Sequence, residues 1–290
     1  YVRGAMRSRS IPSVVYEVKR LSSEGVREFN LIAQDSSFYG RDLNDGTTLA
    51  RLLKELVKID NVKWIRLFYL YPTYFDDELL EIITKEEKIC KYVDIPLQHI
   101  SDSVLRRMHR RDSSQSIKKL LKKLRNTTPY ITIRTTLMVG FPGETEADFK
   151  ELLTFIKAVK FDNMGAFTYS AQDGTPAARM VDQVTEEIKE NRYHELIDLK
   201  IKEIEKEISE ENNRNLIGVD TEVLVEELLD DGCGNLQAKG RASFQAPEGD
   251  GNVYIDHPGD LRPGDFVKAH IIDGYAYDLI AERITTDRGI

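Results

Sequence analysis

The sequence predicts an α/β protein in two parts: an open, partial TIM-like βα barrel with a closing linker helix over residues 1–215, and a small antiparallel β-barrel over 216–290. Three observations carry this. Short apolar runs alternate with amphipathic stretches through the first 180 or so residues, the pattern of βα units on a parallel sheet. The units are too few to close an eight-stranded barrel. After Asn215 the chain changes to short β-like runs broken by Gly, Pro and Asp.

The first stretch, Ile11 to Glu24, places Val14, Val15, Val18 and Leu21 on one helical face, yet no strand precedes it. A right-handed βα series starts with a strand, so the missing strand and its loop are expected just upstream of Tyr1. With that strand restored, the units number six. The strands in the sequence are expected at 29–34, 64–70, 92–97, 131–140 and 163–170. Between them Leu49, Leu52, Leu53 and Leu56 recur at i, i+3, i+4 and i+7, as do Phe149, Leu152, Leu153 and Ile156, which marks crossover helices. Residues 185–213 read as one charged helix packed on the barrel, with Thr185 as N-cap and Ile188, Leu196, Leu199 and Ile204 as its apolar positions. Five runs then come at 221–228, 235–242, 251–256, 265–273 and 275–284, enough for a small barrel.

Composition narrows the function classes. No apolar run approaches the roughly 20 residues that cross a bilayer, and the start has no signal-peptide core, which places the chain in the cytoplasm with no membrane partner. Cys90 and Cys233 lie far apart, which argues against a disulfide framework or a CxxC knuckle; each reads as an ordinary thiol. The net charge of −8 is concentrated: residues 216–285 hold 14 Asp/Glu against 5 Lys/Arg, a net of −9, which leaves +1 elsewhere.

Active sites of βα barrels sit at the carboxyl ends of the strands, and four strand ends here are polar: AQDSSFYG, IPLQHIS, MVGFPGET and TYSAQDGTPAA. Gly140 and Gly143 would let backbone amides approach a ligand, though the same residues suit a tight strand-to-helix turn. Ser101 reads equally as an N-cap, and His99 reads more simply as a structural histidine than as a catalyst. The run RRMHRR (106–111) reads as a solvated helix face or as a partner for an anionic group.

These segments resemble the methylthiotransferase branch of the radical S-adenosylmethionine superfamily. RGAMRSRS (3–10), AQDSSFYG, WIRLFYLYP (64–72), YVDIPLQHISDSVLRRM (92–108), RTTLMVGFPGET (134–145) and FTYSAQDGTPAA (167–178) carry the resemblance in the barrel; GRASFQAPEGDGNVYI (240–255) and RPGDFVKAHIIDGYAYDL (262–279) resemble a TRAM domain. The resemblance implies S-adenosylmethionine and two 4Fe–4S clusters as cofactors, and an electron donor. It also implies methylthiolation of the β-carbon of an aspartate in a basic small-subunit ribosomal protein, which the acidic TRAM-like module would attract and RNA would avoid. By analogy Gln34, Gln98, Ser101, Arg134 and Gly140 are the expected cofactor contacts, and no residue is assigned a catalytic role. The CxxxCxxC loop that would hold the first cluster is expected upstream of Tyr1, as is a further domain with three more cysteines, so the chain as written is expected to be inactive. Two other readings remain: methylthiolation of an adenosine in transfer RNA, and a non-catalytic binding protein on a degenerate scaffold.

Overall fold

The computed structural model describes residues 4–127, 130–199, 210–230, 236–247, 249–275 and 277–284. The chain divides into two compact units, residues 1–196 and 197–290.

In the first unit, helix α1 (Ile11–Ser23) precedes β1 (Glu28–Leu31), α2 (Leu49–Leu56), β2 (Trp64–Leu67), α3 (Asp77–Lys85) and β3 (Ile89–Asp94). Then come α4 (Asp102–Arg107), α5 (Ser114–Arg125), β4 (Thr132–Val139), α6 (Glu146–Val159), β5 (Asn163–Thr168) and α7 (Glu186–Leu199). The five strands pair in sequence order, β1-β2-β3-β4-β5, every neighbour parallel, in an open sheet. β3 begins three residues earlier than its apolar run suggests, because Lys91 can lie half-buried with its ammonium on the carbonyls of Ile83, Glu86 and Ile89. β1 stops at Leu31 instead of running on to Gln34, and Ile32 is exposed.

The two leucine-rich faces pack as expected: Leu53, Leu56 and Leu152 are fully buried. Each is worth about 2 kcal/mol of apolar transfer. One charge enters this core. Arg66 on β2 is fully buried, with its guanidinium near the rings of Tyr92 (5.1 Å) and Trp64 (5.9 Å) and 3.3 Å from the Glu28 carboxylate.

Helix α7 differs from its expectation. Thr185 does cap it, accepting from the Ile188 N–H, but Ile188 is 42% exposed while Lys189, Arg192 and Leu196 form the buried face. Positions Leu199 and Ile204 do not continue an apolar stripe that the structure describes: Leu199 is half-buried and Ile204 lies outside the described residues.

The second unit contains α8 (Glu210–Leu216), β6 (Asp220–Asp230), β7 (Leu236–Ala242), β8 (Val253–Asp256), β9 (Phe266–Gly274) and β10 (Leu279–Arg283). Its strands close in the order β10-β8-β7-β6-β9 around Val223, Val225, Ile255 and Ile271. Four of its five seams are antiparallel, as expected of the small barrel, and the fifth, between β8 and β10, is parallel. Parity requires it, because a closed ring of five strands cannot alternate direction at every seam. Helix α8 packs on β9, and thus belongs with this unit and not with the barrel that precedes it.

Candidate functional site

The carboxyl ends of β3, β4 and β5 surround a cavity of about 460 Å³ whose walls include Met108, Met138, Phe141, Phe167, Pro176 and Met180. Gln98 reaches it from the β3 end. Its backbone is held in the left-handed region (φ +67°) by a bridge to β4, with the Gln98 N–H donating to the Thr136 carbonyl (2.9 Å) and its own carbonyl accepting from Met138 (2.7 Å). A non-glycine residue in that conformation costs about 1 kcal/mol or more and is kept only where the surroundings impose it. Gln98 Oε1 is buried without a hydrogen-bond partner, as are the Tyr169 hydroxyl beside Phe141 and Arg110 Nε.

The residue after Gln98 supports the loop from behind. His99 is fully buried; its Nδ1 accepts from the Ser101 N–H (3.0 Å), so the ring proton sits on Nε2. Burial lowers its pKa from 6.5 to about 4, so the ring is neutral at physiological pH. Ser101 caps α4, and its hydroxyl donates to Asp148 on α6, which also accepts from Ser103 and Thr145. Burial opposes the Asp148 charge, but those hydrogen bonds outweigh it and hold the carboxyl well below its usual range.

The MVGFPGET turn is bolted from within. The fully buried Glu144 carboxylate accepts from the N–H groups of Gly140 (2.6 Å) and Phe141 (3.2 Å) with one oxygen and from Arg192 on α7 (2.9 Å) with the other. Burial raises the Glu144 pKa, opposed by Arg192 and the two amides.

The expected contacts are therefore not gathered in one place. Gln98 alone of the five lines the 460 Å³ cavity. Gln34 lines a separate one of about 440 Å³ with Gly4, Ala5, Met6 and Arg7. The Ser101 hydroxyl is spent on its cap and Asp148. The Gly140 amide is spent on Glu144, and Gly140 (φ +75°) is covered by Lys189, whose Cγ would lie 2.3 Å from an added Cβ. Arg134 is the third residue of β4 and pairs with Asp94, roughly 16 Å below the strand's carboxyl end. In RRMHRR, Arg107 pairs with Asp182, Arg110 stacks on Tyr71 and reaches Asp112, and Arg111 donates to the Tyr74 hydroxyl. Sequence reasoning missed the methionine walls, Glu144 and Arg192; the only signal for Arg192 is its i, i+3, i+7 spacing with Lys189 and Leu196.

An apolar cavity edged by unpartnered donors and acceptors fits S-adenosylmethionine, whose adenine needs flat apolar walls and whose hydroxyl, ammonium and carboxylate groups need polar ends. The described residues do not fit a 4Fe–4S cluster. Cys90 is a buried thiol inside β3, Cys233 lies outside the described residues, and no three His, Cys, Asp or Glu side chains among the described residues converge as metal ligands. Nor is any helix of the described residues long and apolar enough to cross a membrane.

Comparison with known proteins agrees with the fold. Residues 217–284 match the TRAM domain family. Ribosomal protein uS12 methylthiotransferase RimO of Geotalea uraniireducens (strain Rf4) is 47% identical over 281 residues, covering 97% of this chain and 61% of that protein. RimO of Pelobacter propionicus (strain DSM 2379 / NBRC 103807 / OttBd1) is 48% identical over 97% of this chain and 61% of that protein, and RimO of Desulfitobacterium hafniense (strain Y51) is 43% identical with the same coverage. The chain thus spans about 61% of the length of these relatives. Among solved structures, coproporphyrinogen III oxidase (HemN) from Escherichia coli shares the fold with a TM-score of 0.53 at 13% identity, over 90% of this chain and 60% of that one. Residues 1–156, more than half the chain, match the family described as the radical SAM superfamily, and the chain belongs to that superfamily.

Proposed function

We propose that this chain is the barrel and TRAM portion of an enzyme that methylthiolates the β-carbon of an aspartate in small-subunit ribosomal protein uS12. The observation that carries the reading is identity of 43–48% to uS12 methylthiotransferases over 97% of the chain, through both of its units. S-adenosylmethionine, held at the cavity edge by Gln98, would supply the radical and methyl-transfer chemistry of this reaction, and a separate sulfur donor would supply the inserted sulfur. The protein's own part is positional. Gln98, at the cavity edge, offers its unpartnered oxygen to a cofactor hydroxyl or amine, and Gln34 with Arg7 lines the separate second cavity. Phe141, Met138 and Met180 exclude water, which keeps a radical from reacting with anything but the aligned C–H bond. Two 4Fe–4S clusters on residues outside this chain and an external electron donor complete the assignment.

The acidic second unit is the docking module of this reading. The net −9 of its residues 216–285 steers a basic ribosomal protein and repels the phosphates of transfer RNA. The test uses the full-length protein, purified without oxygen, reconstituted with iron and sulfide, and supplied with S-adenosylmethionine and a reductant. Mass spectrometry should find one methylthio group on an aspartate of uS12. A gain on transfer RNA instead would assign the RNA-directed chemistry, and no gain on either would leave a binding protein.

A further inference from the structure

We propose that Arg192 is a positioning residue for the cofactor, acting through Glu144 as a latch by which helix α7 sets the wall of the cavity. The inference rests on superfamily membership and cavity geometry, not on the uS12 assignment.

A five-residue turn can be held by a neutral side chain, yet this one is held by a carboxylate with no exposed surface. Both Glu144 oxygens act only as acceptors, one from the Gly140 and Phe141 amides and the other from Arg192 Nη1. Arg192 Nη1 also donates to the Glu144 carbonyl at 3.1 Å, so one guanidinium fixes both the backbone and the side chain of the same residue. A buried carboxylate stripped of its cation is strongly disfavoured, and the turn it bolts would loosen as it takes up a proton.

Loosening the turn would disturb the cavity through Phe141. This residue, whose amide is clamped, lines the cavity and meets Tyr169 edge-on at 5.1 Å between ring centroids. One helical turn before Arg192, Lys189 lays its stem over Gly140 and its ammonium 5.4 Å from the Tyr169 ring. Helix α7 therefore grips the turn and the end of β5 together, and neither Arg192 nor Lys189 touches the cavity itself. The other ionisable groups around Glu144 are His99, whose Nε2 lies 4.0 Å from Oε2, Glu146, 3.7 Å from Arg192, and Lys189, paired with Glu186.

The experiment measures S-adenosylmethionine binding by calorimetry to the reconstituted full-length protein, with hydrogen exchange of the Gly140–Phe141 segment as a second readout, from about pH 6 to about pH 9. Arg192→Met should weaken binding about tenfold at neutral pH and speed exchange at that segment. Its affinity relative to wild type at the same pH should recover as pH rises and Glu144 ionises again, a ratio from which the titration of the cofactor's own α-ammonium cancels. Arg192→Lys keeps a cation on the same helix face and should fall between the two, which preserves the test if the methionine variant folds poorly. In the double variant Arg192→Met/Glu144→Gln the pH dependence should vanish. Wild-type affinity and exchange in both single variants would overturn the proposal, and so would a pH dependence relative to wild type that survives in the double variant, since Glu144 would then not be its source.

Discussion

Acidification should destabilise the first unit through His99 in a way that one substitution removes. The ring is neutral in the folded chain because burial lowers its pKa from 6.5 to about 4. Above pH 6.5 neither folded nor unfolded chain binds this proton, and the stability is complete. As pH falls from 6.5 toward 4, only the unfolded chain takes the proton, and stability is lost. At about pH 4.5 the unfolded histidine is almost wholly protonated and the folded one is mostly not, a difference of about 2.5 kcal/mol. Trp64, the only tryptophan, is buried in β2 of this unit, so its fluorescence during urea unfolding reports on the right unit. The comparison is with His99→Asn, whose side-chain oxygen can replace Nδ1 as acceptor for the Ser101 N–H but cannot titrate. Other acid-sensitive groups, such as Asp148, contribute equally to both proteins and cancel. The wild type's advantage over the variant at about pH 7.5 should shrink by about 2.5 kcal/mol at about pH 4.5. Two proteins that lose stability in parallel would show that His99 is not held neutral by its surroundings.

Backbone geometry sets two further outcomes. Gly140 and Gly143 both have positive φ, but an added Cβ meets the Lys189 stem at the first and the side-chain ends of Arg107 and Asp182 at the second. Gly140→Ala should cost about 2 kcal/mol and Gly143→Ala about 1 kcal/mol in the same urea assay, and the reverse order would refute the packing argument. Gln98→Gly should relieve left-handed strain and raise stability by up to about 1 kcal/mol while weakening S-adenosylmethionine binding. Calorimetric affinity equal to wild type would remove Gln98 from the site.

Where apolar periodicity decides structure, the chain was readable. The α2 and α6 faces and all five strands of the first unit lie where their patterns put them, with ends displaced by a few residues. The buried face of α7 was not readable, because Lys189 and Arg192 look like solvent-facing charges until Glu144 and Gly140 are brought against them from more than 40 residues away. The same applies at the site. The polar strand ends pointed to the correct end of the sheet, but whether a polar group is available depends on partners remote in sequence. Asp148 consumes the Ser101 hydroxyl across 47 residues, and Glu144 consumes the Gly140 amide; Gln98 Oε1 is left over. Composition shows which groups a mouth contains, and only the tertiary contacts show which are unspent.

The parallel seam of the small barrel bears on how the chain is made. β10 joins β9 on one side and β8 on the other, so the ring cannot seal until this last strand has been synthesised. Until then a nascent chain carries two raw strand edges, on β8 and β9, each able to recruit a strand from another molecule. A premature stop before Leu279 would leave both edges permanently open, and such truncated products should collect in aggregates and not as soluble fragments.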